Sequence, residues 1–109
     1  MDEIGRIFDL IETWAEDRNL IEGATPQAQM LKMTEEVGEL AHAIARSGIN
    51  SSKENNDNIK DAIGDCVVVL TILAAQNGLD IVECIASAYN EIKDRKGKMV
   101  DGIFVKEGD

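Results

Sequence analysis

The chain has little positive charge, one histidine, two cysteines and no long apolar run. Lys and Arg number 11 against 21 Asp and Glu, for a formal net charge of -10. A surface of that sign repels phosphate backbones, so duplex nucleic acid is not an expected partner. No apolar stretch approaches the roughly 18 residues that mark a membrane span. No signal-peptide apolar region is present either, so the expectation is a soluble, cytoplasmic protein without a membrane partner. The two cysteines, Cys66 and Cys84, sit at apolar helix positions with neither a disulfide framework nor a metal-type spacing. They read as reduced, buried thiols. With His42 as its single histidine and no Gly-x-Ser-x-Gly element, the chain does not fit a Ser/His/Asp hydrolase. It has no Walker A loop and no Gly-x-Gly-x-x-Gly.

What the chain does have is acid, and the acid is ordered. Glu35-Glu36-x-x-Glu39 forms one cluster and Asp61-x-x-x-Asp65 a second. On a helix turning about 100° per residue, Glu35, Glu36 and Glu39 fall within an arc of roughly 100°, and Asp61 and Asp65 lie about 40° apart. Like charges so close destabilise a helix. Asp65 also runs directly into Cys66-Val67-Val68-Val69-Leu70, which places a carboxylate beside apolar surface. Carboxylates gathered there need protons, cationic partners or a metal, and a hard divalent cation, Mg²⁺ above all, meets the need with oxygen ligands.

The 109 residues fit one domain, residues 1–109, with a modest core. The pattern predicts four helices. Ile4, Ile7, Ile11 and Trp14 have helical spacing over residues 3–18. Thr25 as N-cap and Pro26 at the first helical position open a second helix, about 26–46. Met33, Val37, Leu40 and Ile44 form its apolar stripe, and the Glu35/Glu39 stripe lies beside that face, as an acid site lining a bundle requires. Residues 47–57 read as a polar, mobile loop, with Asp57 or Asn58 capping a third helix over 58–77. From Val67 to Ala75 that helix is apolar almost all round. Full burial of such a helix exceeds what a chain this small can supply, so the expectation is an oligomer with this helix central to the interface. Gly78 ends it, Asp80 caps a fourth helix over 81–96, and Gly97 stops that one. Asp101-Gly102 between apolar residues then predicts a short hairpin.

Glu39 and His42 make a Glu-x-x-His motif, but carboxylate-bridged di-iron bundles need two copies and this chain offers one. A supporting or merely exposed His42 is the better reading. Trp14 belongs to the apolar stripe of the first helix and reads as core, with stacking on a base as the alternative. Lys93, Arg95, Lys96 and Lys98 crowd together in an acidic chain. They are either a phosphate site or cations complementing a helix C-terminus.

The order of these features is familiar. Gln29-Met30-Leu31-Lys32-Met33-Thr34-Glu35-Glu36-Val37-Gly38-Glu39-Leu40, a polar loop, then Asp61-Ala62-Ile63-Gly64-Asp65 leading into an apolar helix resembles the MazG-like all-α nucleoside triphosphate pyrophosphohydrolases. The likeness is greatest to their short, single-domain members, phage-encoded ones included, and covers about residues 4–105. It implies an all-α, four-helix bundle-like fold, oligomeric as a homodimer or homotetramer, with the short C-terminal hairpin. It implies hydrolysis of an NTP or dNTP to the monophosphate and pyrophosphate. Catalytic and metal ligands would be Glu35, Glu36, Glu39 and Asp65, with Asp61 as a further ligand and Mg²⁺, or Mn²⁺ in its place, as the ion. Asn90, Lys93, Arg95, Lys96 and Lys32 would contact the substrate. One departure stands out. The family's second motif has Glu three residues before its Asp, and Ala62 occupies that position here. An idle homologue that binds nucleotides or mediates assembly is therefore the competing expectation.

Overall fold

Four helices and one hairpin follow in order among the described residues of the computed structural model, 2–49 and 52–108: α1 (Glu3–Asp17), α2 (Pro26–Ser47), α3 (Lys53–Gln76), α4 (Ile81–Ile92), β1 (Gly97–Val100) and β2 (Ile103–Lys106). The start signals work as their chemistry requires. Asp2 accepts from the Gly5 amide at 2.7 Å, Thr25 from Ala28 at 3.0 Å and Asp80 from Val82 at 2.8 Å. Each satisfies an amide that the first helical turn leaves without a partner. Asp101 and Gly102 both take positive φ, 51° and 80°. That is the turn whose twist matches a two-residue hairpin, and it pairs Val100 with Ile103 and Gly97 with Lys106.

Two boundaries differ from the sequence expectation. α3 begins at Lys53, capped by Ser52 on the Asn55 amide at 3.1 Å, so Asp57 and Asn58 lie inside the helix. Its first turns are polar because they are solvated, and Lys53 pairs with Asp57 four residues on at 3.3 Å. Asn50 and Ser51, within the stretch read as a loop, lie outside the described residues. α4 ends at Ile92, so Gly97 opens β1 and does not stop the helix.

α2 and α3 form the main packed pair, and two side-chain amides fix their antiparallel sense. Asn55 Nδ2 donates to the Arg46 carbonyl at 3.3 Å, joining the end of α2 to the start of α3. At the other end, Gln76 Nε2 donates to the carbonyls of Leu20 and Ala24 at 3.2 and 3.3 Å. The seam is built from small groups: Ala43, Ala62, Cys66, Val69, Ile72 and Ala74 are buried, with Ala15 of α1 sealed against them. Thr71 is the largest fully buried side chain, its hydroxyl donating to the Val67 carbonyl at 2.8 Å. Small residues let the backbones approach and bring side chains from facing helices within reach of each other.

The apolar half of α3 is thus mostly covered within one chain, although Leu70 keeps 43% of its surface. The bare apolar surface lies elsewhere. No residue of α4 is buried, and both strands are exposed throughout. Cys84 is exposed on α4, so only Cys66 is the buried thiol expected of both. α4 leaves α3 at a bend of 104°. The radius of gyration is 16.7 Å, against about 13 Å for a compact chain of this length. Among the described residues no single helix is long and apolar enough to cross a membrane.

Candidate active site

Three carboxylates meet where α2 faces α3. Glu36 and Glu39 come from α2 and Asp65 from α3, and one oxygen of each lies within 4.8 Å of the others. Glu36 is the inner member, with 6% of its surface exposed. Its Oε1 lies 3.2 Å from Lys32 Nζ, while its Oε2 is buried with no hydrogen-bond partner. A buried carboxylate oxygen left unpaired is costly. Two oxygens bound to one Mg²⁺ or Ca²⁺ at about 2.0–2.6 Å stand no more than about 4–5 Å apart. The spacing and the all-oxygen donor set therefore fit a hard divalent cation.

The local electrostatics agree with that geometry. The charge of Glu36 raises the Glu39 carboxyl above the usual range, with desolvation, a close carboxyl–carboxyl contact with Glu36 and the charge of Glu35 adding to it. Hydrogen bonding to Glu36, together with the charges of Glu35 and Glu36, holds the Lys32 ammonium more firmly than usual. The two acids thus repel each other, and one lysine, itself half exposed, answers one of them.

The remaining expected residues fall in different places. Glu35 is 61% exposed and touches Lys32 at 3.5 Å, outside the close trio. Asp61 is likewise outside it, but shares a cavity of about 260 Å³ with Glu39, His42, Arg46, Asn58 and Asp65. Ala62, where the family carries Glu, is 6% exposed in the α2–α3 seam. Asn90 and Lys93 lie on exposed surface at the end of α4. Arg95 and Lys96 line a shallow cavity with Glu91, Asp94, Lys106 and Glu107. Among the described residues α4 packs on α1 and α3 and not on α2, the helix that carries Glu36 and Glu39. Trp14 is not core. It is 45% exposed, with the Arg18 guanidinium 4.4 Å from its ring centroid. It lines a cavity of about 420 Å³ that also holds Gln29, Lys32, Glu36 and Asp65.

Arg46, Asn58 and Gln29 were not among the expected site residues, yet their spacing was there. Each stands seven residues from an acid of the trio: Gln29 from Glu36, Arg46 from Glu39, Asn58 from Asp65. Seven residues return a helix to within about 20° of the same direction.

An all-α chain with a cation-ready carboxylate trio between its two longest helices is the class this geometry defines. The model of the MazG nucleotide pyrophosphohydrolase domain matches residues 24–100, and the chain belongs to that family. It is also 49% identical over 82 residues to a protein of Haemophilus phage HP1, described as an uncharacterized 18.2 kDa protein in the rep-hol intergenic region. That match takes in 75% of this chain but only 46% of the phage protein, so the chain spans about half the length of that relative. No solved structure matches the chain significantly.

Proposed function

We propose that the protein hydrolyses nucleoside or deoxynucleoside triphosphates to the monophosphate and pyrophosphate. The observation that carries this reading is the unpartnered, buried Oε2 of Glu36, a residue whose carboxylate groups with those of Glu39 and Asp65. Glu36, Glu39 and Asp65 are the residues to hold Mg²⁺, or Mn²⁺, with Glu35 and Asp61 at the margin of the set. When bound, the ion neutralises phosphate oxygens and makes a coordinated water more acidic. The chain's own residues do the rest. The carboxylates would hold the ion against which the α-phosphate is placed, and one of them would accept the proton of the water that attacks there. Lys32 orients Glu36 through the 3.2 Å contact between its ammonium and Oε1. The helix seam of small side chains holds the two acid-bearing helices at a constant separation, so this geometry is built before substrate arrives.

Assembly belongs to the same reading. Val82, Ile85, Tyr89, Ile92 and Phe104 are exposed on α4 and the hairpin, each by more than a third. A second copy covering that face accounts for it, as a homodimer or homotetramer. Such an assembly is also the route by which Asn90, Lys93, Arg95 and Lys96 can reach an acid site on another chain.

The test is a panel of all common NTPs and dNTPs, with pyrophosphate release followed with and without Mg²⁺. One or more substrates should yield pyrophosphate and monophosphate in equal amounts, only with the ion. Nucleotide binding without any turnover would instead support the idle homologue that Ala62 raises.

A further inference from the structure

The carboxylate trio stands between two cavities of opposite character. Toward α1, the cavity of about 420 Å³ has Trp14, Leu20, Val68 and Ile72 as apolar walls. Gln29 is its one neutral polar side chain, and its one cation, Lys32, is already engaged by Glu35 and Glu36. The volume lies within the roughly 300–1,000 Å³ of small-molecule pockets. On the other side, the cavity of about 260 Å³ is polar, with Arg46, His42 and Asn58 set around Glu39, Asp61 and Asp65. Asp65 borders both. Arg46 forms no ion pair among the described residues, although it shares this cavity with acids.

Resting on the pyrophosphohydrolase reading, we infer that the nucleotide crosses the acids in one direction. Its base lies against Trp14 with Gln29 at its edge, and its β- and γ-phosphates lie on Arg46, with His42 and Asn58 as further donors. A flat heteroaromatic ring gains from a half-exposed indole and apolar walls, and an amide can both donate to and accept from a base edge. The reverse placement would set a polyanion on Leu20, Val68 and Ile72 and leave Arg46 unused. Arginine presents a planar fork that matches phosphate oxygens two at a time. It stands two turns beyond Glu39, about 10 Å along the axis, and side chains on a helix lean back toward its N-terminus. Arg46 thus reaches toward the acids along the line that the leaving pyrophosphate would occupy. Arg46 supplies this contact from within one chain, whereas Lys93, Arg95 and Lys96 stand on α4, which does not meet α2 in the same chain.

The two products allow the halves to be probed separately and without turnover. Trp14 is the sole tryptophan, so its fluorescence reports one cavity. With Mg²⁺ present, the monophosphate of the preferred base should quench Trp14, while inorganic pyrophosphate should bind by calorimetry without quenching. Arg46→Ala should weaken pyrophosphate at least tenfold and the monophosphate less than twofold, with Arg46→Lys intermediate and helicity by circular dichroism unchanged. Trp14→Ala should do the reverse, and Gln29→Ala should change the order of preference among bases. Quenching by pyrophosphate, absence of monophosphate quenching, or a pyrophosphate site sensitive to Lys93→Ala and indifferent to Arg46→Ala would each overturn the direction. Turnover in the substrate panel is an independent readout. Pyrophosphate release without this split in binding sinks the inference alone, and the split without release sinks the hydrolase reading alone.

Discussion

Lys32 Nζ lies 3.2 Å from Glu36 Oε1 and leaves the other oxygen of Glu36 buried and unpartnered. One half of the carboxylate is satisfied by its own helix, and the residue groups with Glu39 and Asp65, one oxygen of each within 4.8 Å of the others. The lysine is half exposed and spans one turn of helix, so it costs little to place. It holds one oxygen of the acid in place beside the position where a cation is wanted.

Glu36→Gln is therefore expected to abolish turnover and yet leave the metal-free protein as stable as wild type or more so. Leaving a buried polar atom without a partner costs about 1–3 kcal/mol, and the amide removes the repulsion between Glu36 and Glu39 as well. Thermal melts read the outcome. Wild type should gain melting temperature as Mg²⁺ is added, because a ligand bound only by the folded state stabilises by about 2.7 kcal/mol at 100 times its Kd. A wild-type melt that stays flat into tens of millimolar Mg²⁺ counts against the site.

The raised Glu39 carboxyl makes a second expectation, about pH. Its folded pKa exceeds the unfolded one because Glu36 is charged beside it. Through that window the folded state holds more protons than the unfolded, so metal-free stability falls as pH rises. The gain is fully present below the ordinary Glu value and gone above the raised one. Glu12 shifts the same way, chiefly by burial, so the control is Glu39→Gln, which should flatten part of the slope. Denaturant titrations from pH 4 to 7.5 without metal test it. A slope identical in wild type and variant would remove Glu39 as its source.

Assembly has its own test, and the fold moves it to a new helix. Val69 and Ile72 are buried within one chain, so a charge there should unfold it. Ile85 is 50% exposed on α4, so Ile85→Glu should dissociate the assembly and leave the helices intact. Light scattering should give wild type a multiple of 11.9 kDa at micromolar concentration. A wild-type monomer, or an Ile85→Glu variant that melts with its mass unchanged, would show that α4 is not the contact.

The caps and turns were legible because each has a local chemical cause: Thr25 before Pro26, Asp80 after Gly78, Asp101 before Gly102. The acid trio was legible for the same reason, since helical geometry alone puts Glu36 and Glu39 on adjacent faces. The start of α3 was not, because solvated helical turns and loops share polar residues, and only the Ser52 cap tells them apart. Nor was the position of Lys93, Arg95 and Lys96. Their distance from the acids is set by the 104° bend between α3 and α4, which leaves no periodic trace in the sequence. Trp14 fits a core stripe by spacing, but the α2–α3 seam is closed by alanines and leaves its ring at a cavity mouth.

The bond that breaks is the last matter, and it separates this chemistry from that of a phosphatase. With the base at Trp14 and the terminal phosphates at Arg46, the trio between the two cavities faces the α-phosphorus. Water attacking there forms a new P–O bond in the monophosphate and breaks the α–β bridge, whose electrons leave on pyrophosphate. Hydrolysis in ¹⁸O-water should accordingly put one label in the monophosphate and none in the pyrophosphate. Arg46→Ala should slow the reaction roughly 10- to 100-fold through lost stabilisation of the leaving group, without moving the label. Substitution of Lys93 should cost less unless a partner's α4 closes over the site. Labelled orthophosphate with a nucleoside diphosphate as first products would place the attack at the γ-phosphorus. The acids would then face the far end of the chain of phosphates, and the direction argued from the two cavities would be wrong even with the Mg²⁺ dependence intact.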